Sequence, residues 1–116
     1  LNDRGMGLER ASRAWTEMIT TAKKKGVKVV LLTPTSDTRS KWDHPDDRLY
    51  QHAAQIRKLA REHQVGLMDS YQRFQDAVAA GTPLDQLMSQ INHPNHQGHQ
   101  LVAEGLLEWF LPLASP

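Results

Sequence analysis

There is no cysteine in these 116 residues, which excludes a disulfide scaffold, a thiolate nucleophile and a cysteine-ligated metal together. Nor is there an excess of charge of either sign. Fourteen Lys and Arg stand against 13 Asp and Glu, a formal net charge of +1 with histidines neutral, so there is no electrostatic footprint for nucleic acid or an anionic membrane surface. No run approaches the roughly 18 consecutive apolar residues of a membrane span. The chain opens Leu1-Asn2-Asp3-Arg4 without an initiator methionine and without the basic segment and apolar core of a secretory leader. It reads as a chain entered partway through. What is present, 39% hydrophobic and 23% charged residues, is the composition of an ordinary globular chain of one domain at most.

Apolar residues Leu8, Ala11, Trp15, Met18, Ile19 and Ala22 step by three and four, which predicts a helix over residues 8–25 with one buried face. Gly26 supplies its stop. Lys23, Lys24 and Lys25 then complement the negative end of the helix dipole and are not read as a nucleic-acid patch. Val27-Lys28-Val29-Val30-Leu31-Leu32-Thr33 is β-branched and nearly continuously apolar, as in a parallel strand covered on both faces. Pro34 ends it, and residues 35–47 form a long polar loop at the edge where open α/β sheets bind ligands. Leu49, Ala53, Ile56 and Ala60 predict a second helix, introduced by Asp46 and Asp47. Val65-Gly66-Leu67-Met68-Asp69 reads as a second buried strand, and Tyr71, Phe74, Ala77 and Val78 as a short helix closed by Gly81. Thr82 is placed to cap a further helix, with Pro83 at its first position and Asp85 at the capping-box position. Leu101, Val102, Gly105, Leu106, Trp109 and Phe110 line one face of a terminal helix that Pro112 stops. Trp15 and Trp109 fit core stripes, whereas Trp42 either lines a substrate pocket or covers a core edge.

Helix, strand, helix, strand, helices is the alternation of a parallel α/β sheet. Two strands do not make a stable sheet, so the remaining strands are expected from chain outside these residues or from another chain.

The densest polar constellation is Asn92-His93-Pro94-Asn95-His96-Gln97-Gly98-His99, just ahead of the terminal helix. Pro94 disfavours helical geometry at the residue before it, so His93 projects from a loop while Asn95 caps the helix behind it. A histidine carried on such a loop is a candidate general base.

His93-Pro94-Asn95 followed by Gly98-His99 resembles the last conserved block of the SGNH (GDSL-type) hydrolases, in which the histidine before Pro-Asn is the catalytic base. Leu1-Asn2-Asp3 resembles the end of that family's Gly-x-Asn-Asp block. Residues 29–34 resemble the strand leading to its substrate-side loop, and residues 65–69 the strand that follows. The resemblance implies a serine esterase in a three-layer, flavodoxin-like parallel α/β fold. Residues 1–116 would be the C-terminal portion of one such domain, completed by an N-terminal segment that bears the nucleophile. It implies His93 as base, Asn2 as oxyanion-hole donor, no cofactor, a small-molecule or carbohydrate ester substrate such as an acetyl ester, and a secreted or periplasmic location.

Two departures from the family pattern matter. The Gly-Asp-Ser motif of the nucleophile is absent, and none of Ser12, Ser36, Ser40, Ser70, Ser89 or Ser115 lies in such a context. Three residues before the histidine, where the family usually has an aspartate that orients the imidazole, stands Gln90. Its amide oxygen, or a backbone carbonyl, can accept the Nδ1 proton and fix the tautomer without a carboxylate's stabilisation of imidazolium; a carboxylate such as Asp85 reaches the ring only if the chain between them folds back. Two other readings stay open. His93, His96 and His99 recur every third residue as metal ligands would, though no carboxylate completes an evident set, or the chain is a non-catalytic α/β binding or scaffold fragment.

Overall fold

The computed structural model describes residues 3–110. A 3-10 turn, Asp3–Gly5, precedes helix α1 (Leu8–Lys24), strand β1 (Val30–Leu32), helix α2 (Arg48–His63), strand β2 (Gly66–Met68) and helix α3 (Ser70–Ala79). A second 3-10 turn, Leu84–Leu87, leads into strands β3 (Met88–Gln90) and β4 (His93–Pro94) and helix α4 (His96–Leu107).

The amphipathic spacing of α1 and α2 dictates the main core. Ile19 of α1 meets Ile56, Leu59 and Ala60 of α2 over Leu31 of β1, with Trp15, Val29, Val65 and Leu67 around them. α1 stops where Gly26 takes a positive φ of 70°, which lets the Gly26 N–H reach Lys23 O and the Val27 N–H reach Ala22 O. Lys23 also donates from Nζ to His63 O, 2.6 Å away at the end of α2, so one cation of the lysine run satisfies a neighbouring helix terminus.

β1 and β2 pair in parallel, with Leu31 opposite Leu67 and Leu32 opposite Met68. Because side chains alternate along a strand, Leu31 and Leu67 face the α1–α2 core. Gly66 and Met68 turn the other way, and a Cβ on Gly66 would meet the Trp109 ring at 2.9 Å while one on Gly105 of α4 would meet Met68 Sδ at 2.8 Å. Both strands are shorter than the apolar runs around them. Ladder bonds extend only to Gly66 N–Val29 O and Thr33 N–Met68 O, and Val27 is 55% exposed, because a strand is no longer than the partner available to it.

Past the strands, Thr33 and Asp69 tie the sheet's C-terminal edge together. Thr33 Oγ1 donates to Asp69 Oδ1 at 2.9 Å and accepts from Tyr71 N at 3.0 Å, while Arg57 of α2 grips the same carboxylate from Nε at 2.7 Å. Asp69 also caps α3 through Gln72 N. Burial pushes the Asp69 carboxyl up, but the Arg57 guanidinium, the Gln72 amide and the Thr33 hydroxyl outweigh it and hold the group below the usual carboxylate range. A carboxylate depressed in the folded state contributes stability above its unfolded pKa and loses it as pH falls through the folded value. Asp69→Asn in the intact protein should therefore lower unfolding free energy by about 1–2 kcal/mol at neutral pH, with the deficit shrinking below about pH 4. Urea titrations at several pH values that give a pH-independent deficit would contradict this.

Two expected elements differ. The segment from Thr82 does not open an α-helix. Pro83 is extended (φ −58°, ψ 140°), no side chain caps the turn, and only four residues wind before Met88 enters β3. The terminal helix ends at Leu107, not at Phe110, leaving Trp109 46% and Phe110 58% exposed. Trp109 covers Gly66 from a turn and not from a helical core stripe; Pro112 lies outside the described residues. Among those described, no helix is long and apolar enough to cross a membrane.

Candidate active site

His93 is placed by a short antiparallel pair and a helix cap. β3 and β4 pair Met88 with Pro94 and Gln90 with His93, and the register slips between them, so Ser89 is the extra residue of a bulge. Its hydroxyl donates to His93 O at 3.0 Å. On the other side, Asn95 caps α4 as its sequence context predicts, with Oδ1 accepting from Gly98 N at 3.1 Å. Asn95 also donates from N to Leu87 O and from Nδ2 to Gln86 O, at 2.9 and 2.7 Å. The histidine is thus exposed at its ring and fixed at its backbone.

The imidazole Nδ1 lies 2.7 Å from Asn92 Oδ1. An amide oxygen only accepts, so Nδ1 carries the proton and Nε2 is the basic nitrogen, the tautomer that a general base requires. The acceptor at Nδ1 is thus Asn92, while Gln90, the position expected to orient the ring, pairs with His93 as its backbone partner across the strands. Asp85 belongs to the 3-10 turn ahead of β3 and no hydrogen bond joins it to the ring.

His93 and Asn92 line a cleft of about 680 Å³ at the C-terminal edge of β1. Thr33, Pro34 and Thr35 form its floor on the strand side, Ala11, Ala14 and Trp15 of α1 and His52 and Ile56 of α2 supply one wall, and Ser70, Ser89, His99 and Val102 also border it. His52 is buried at 3% exposure, its Nε2 3.0 Å from Met6 O, so it donates to the carbonyl and ties the start of α1 to α2. No serine among the described residues hydrogen-bonds the His93 ring: Ser89 donates to a carbonyl, and Ser70 Oγ donates to Met68 Sδ at 3.6 Å. Ser115 and Asn2 lie outside the described residues.

The polar loop of residues 35–47 is built around one cation that its own sequence does not contain. Arg4, in the first 3-10 turn, donates from Nε and Nη2 to the two oxygens of Asp37, the latter at 2.8 Å, and from Nη1 and Nη2 to Asp47 at 3.2 Å each. Asp37 and Asp47 are both buried. Asp47 also caps α2 through Leu49 N and Tyr50 N and accepts from Lys41 N. Burial pushes both carboxyls up, yet Arg4, with Arg39 at Asp37 and the backbone amides at Asp47, holds both below the usual range. One residue beyond Asp37, Thr38 N donates to Ile91 O at 2.9 Å, two positions before His93. Trp42 covers a core edge: its ring meets Tyr71 edge-on at 5.2 Å and packs beside Leu49 and Phe74.

Sequence reasoning missed Arg4, Asn92 and His52. A signal existed only for the first, since the aperiodic loop carries four aspartates, Asp37, Asp43, Asp46 and Asp47, against Arg39 and Lys41, and a carboxylate that becomes buried calls for a cationic partner. The metal reading is not carried forward: among the described residues no three His, Asp or Glu side chains converge to hold an ion, with His93 on β4 and His96 and His99 on α4.

A family model described as the GDSL-like lipase/acylhydrolase family matches residues 1–101. No curated protein matches the chain. Among solved structures, it is similar to a member of the lipolytic protein G-D-S-L family from Veillonella parvula DSM 2008, with a TM-score of 0.75 and 24% identity over 93% of this chain and 56% of that one. It is also similar to the acetyl xylan esterase AlAXEase, with a TM-score of 0.74 and 21% identity over 90% of this chain and 57% of that one. The likeness is one of fold, the α/β fold of those hydrolases, and the chain spans somewhat more than half the length of either structure.

Proposed function

The chain belongs to the GDSL-like lipase/acylhydrolase family, and from that premise we propose that it carries the base and an oxyanion donor of a serine esterase whose nucleophile is supplied by residues outside these 116. The observation that carries this reading is the His93–Asn92 hydrogen bond, which leaves Nε2 basic at the edge of a cleft. In the proposed cycle, Nε2 takes the proton of the serine hydroxyl as that oxygen attacks the ester carbonyl, then returns it to the departing alcohol. Water repeats the sequence on the acyl-enzyme. Asn2 donates its side-chain amide to the tetrahedral oxyanion.

The same reading makes residues 1–116 the C-terminal part of a three-layer, flavodoxin-like domain. Its support is the placement of Leu31 and Leu67 toward α1 and α2 while Gly66 and Met68 face α4 and Trp109, together with an incomplete sheet: among the described residues β1 pairs with β2 alone, and two strands are marginal by themselves. An acetyl ester of a carbohydrate is the proposed substrate, on the strength of the polar loop beside the cleft and the acetyl xylan esterase of similar fold.

In the intact enzyme, Asn2→Ala should lower kcat for p-nitrophenyl acetate on the order of 100-fold, the loss typical of one oxyanion donor. Unchanged turnover would remove Asn2 from the site. Acetate release from acetylated xylo-oligosaccharides, measured beside it, tests the substrate class.

A further inference from the structure

A net charge of +1 averages over the whole chain and misses how the cations are placed. Six of the 14 Lys and Arg make ion pairs among the described residues. Of the other eight, five stand at one end of the molecule: Lys23, Lys24, Lys25 and Lys28 where α1 ends and β1 approaches, and Arg61 in the last turn of α2. The bond from Lys23 Nζ to His63 O, 2.6 Å long, brings the two helix ends together. No acidic residue lies between Lys23 and Lys28, and Glu62, beside Arg61, is held by Lys58. Cations in a last helical turn complement the dipole, but a helix terminus carries only about half an elementary charge, so five cations overcompensate two termini. Apolar side chains stand at the same end. Val27, inside the lysine run, is exposed, as are Trp109 and Phe110 in the turn after α4. Trp109 lies against Gly66, the partner of Val30, three residues past Val27. This is the N-terminal edge of the β1–β2 pair, whereas His93 and its cleft lie at the C-terminal edge.

We infer that this end is a docking surface for an anionic phospholipid bilayer, on which the protein rests with its cleft turned away from the lipid. The inference does not depend on the esterase reading. Charge complementarity favours it: clusters of four to eight Lys and Arg attract anionic headgroups, each cation strengthening binding about fivefold near the surface. The lysine stems let the ammonium groups reach headgroup phosphates, while Val27, Trp109 and Phe110 enter the interface, where tryptophan is favoured. A soluble polyanion would satisfy the charges and leave those apolar side chains in water, so a bilayer is the occupant that fits both. Because the cleft opens at the opposite edge, the surface holds the protein and does not feed it lipid; substrate reaches His93 from solvent.

The test is co-sedimentation of the intact protein with vesicles of phosphatidylcholine alone and with vesicles in which about a quarter of the lipid is phosphatidylglycerol. At low salt the protein should bind the second and not the first, and binding should fall steeply as salt is raised. Lys24→Gln, Lys25→Gln and Lys28→Gln combined should weaken binding on the order of 100-fold. Val27→Ser with Phe110→Ser should weaken it about 10-fold. Turnover of p-nitrophenyl acetate should be the same in both variants as in the parent. Equal sedimentation with both vesicles, sedimentation with neither, or a triple lysine variant that binds as the parent does overturns the inference. So does full-strength binding after the Val27 and Phe110 changes, which marks a surface for a soluble polyanion instead. The vesicle and salt comparisons need no variant and decide the matter if one fails to fold. A parent protein that binds anionic vesicles without hydrolysing the ester defeats the esterase reading alone.

Discussion

His93→Ala in the intact enzyme is expected to lower kcat for p-nitrophenyl acetate on the order of 1,000-fold, with KM nearly unchanged, because the proton transfers are lost while substrate contacts remain. The magnitude follows from the roles proposed for the ring. A serine hydroxyl at neutral pH is a poor nucleophile without a base, and the same ring must protonate the leaving alcohol. Residual activity should persist, since oxyanion stabilisation and binding do not depend on the imidazole. The neutral partner sharpens the expectation. Asn92 Oδ1 orients the ring through Nδ1 but supplies no negative charge to the imidazolium, so the histidine bears the whole proton-transfer burden. Stopped or steady-state assays that show the variant at full rate would contradict the assignment.

The second large effect is on stability. Gly98→Ala should destabilise the intact protein by about 3 kcal/mol, the upper part of the range for overpacking a close contact. A Cβ at residue 98 would stand 2.3 Å from Leu87 O and 2.8 Å from Pro94 Cβ. Leu87 O is backbone, and it already accepts from Asn95 N, so neither a rotamer change nor a small side-chain shift relieves the clash. The first turn of α4 must lift, and with it Asn95, Pro94 and the strand that holds His93. Gly105→Ala is the internal comparison: its Cβ would meet Arg73 Nε and Met68 Sδ, ends of flexible side chains, and should cost clearly less. Denaturant unfolding of the two variants checks the order. Equal costs would mean that α4 is not seated on Leu87 as described.

The glycine three residues past Asn95 was legible as part of a motif, and the structure supplies its physical reason. Much else about the fold was similarly legible. The three- and four-residue steps of Leu8 through Ala22 and of Leu49 through Ala60 became α1 and α2 almost residue for residue, because an apolar stripe at helical period has only one face to bury. Asn95 and Asp47 act as caps where short polar side chains precede apolar periodicity. Strand lengths were not legible, since pairing depends on a partner strand far away in sequence; Val27 and Lys28 belong to an apolar run and lie outside the ladder. Thr82 and Pro83 carry a helix-start pattern that the pull of Met88 into β3 overrides after four residues. At the site, the chain order of His93, Pro94 and Asn95 marked the proposed base, but the contact of its ring with Asn92 is made in the turn between β3 and β4, which no local pattern announces. Arg4 is further removed still. Its partners lie 33 and 43 residues away, and only the folded chain brings its guanidinium between two buried carboxylates.

The central claim is that these residues supply the base for a serine that attacks an ester. It is tested most directly by treating the intact protein with diisopropyl fluorophosphate, mapping the modified residue by mass spectrometry, and repeating the reaction with His93→Ala. The account predicts one phosphorylated serine outside residues 1–116, in a Gly-Asp-Ser context, with the modification slowed on the order of 100-fold or more in the variant. Modification of Ser70, Ser89 or another serine of this chain, or an equal rate with and without His93, would contradict it.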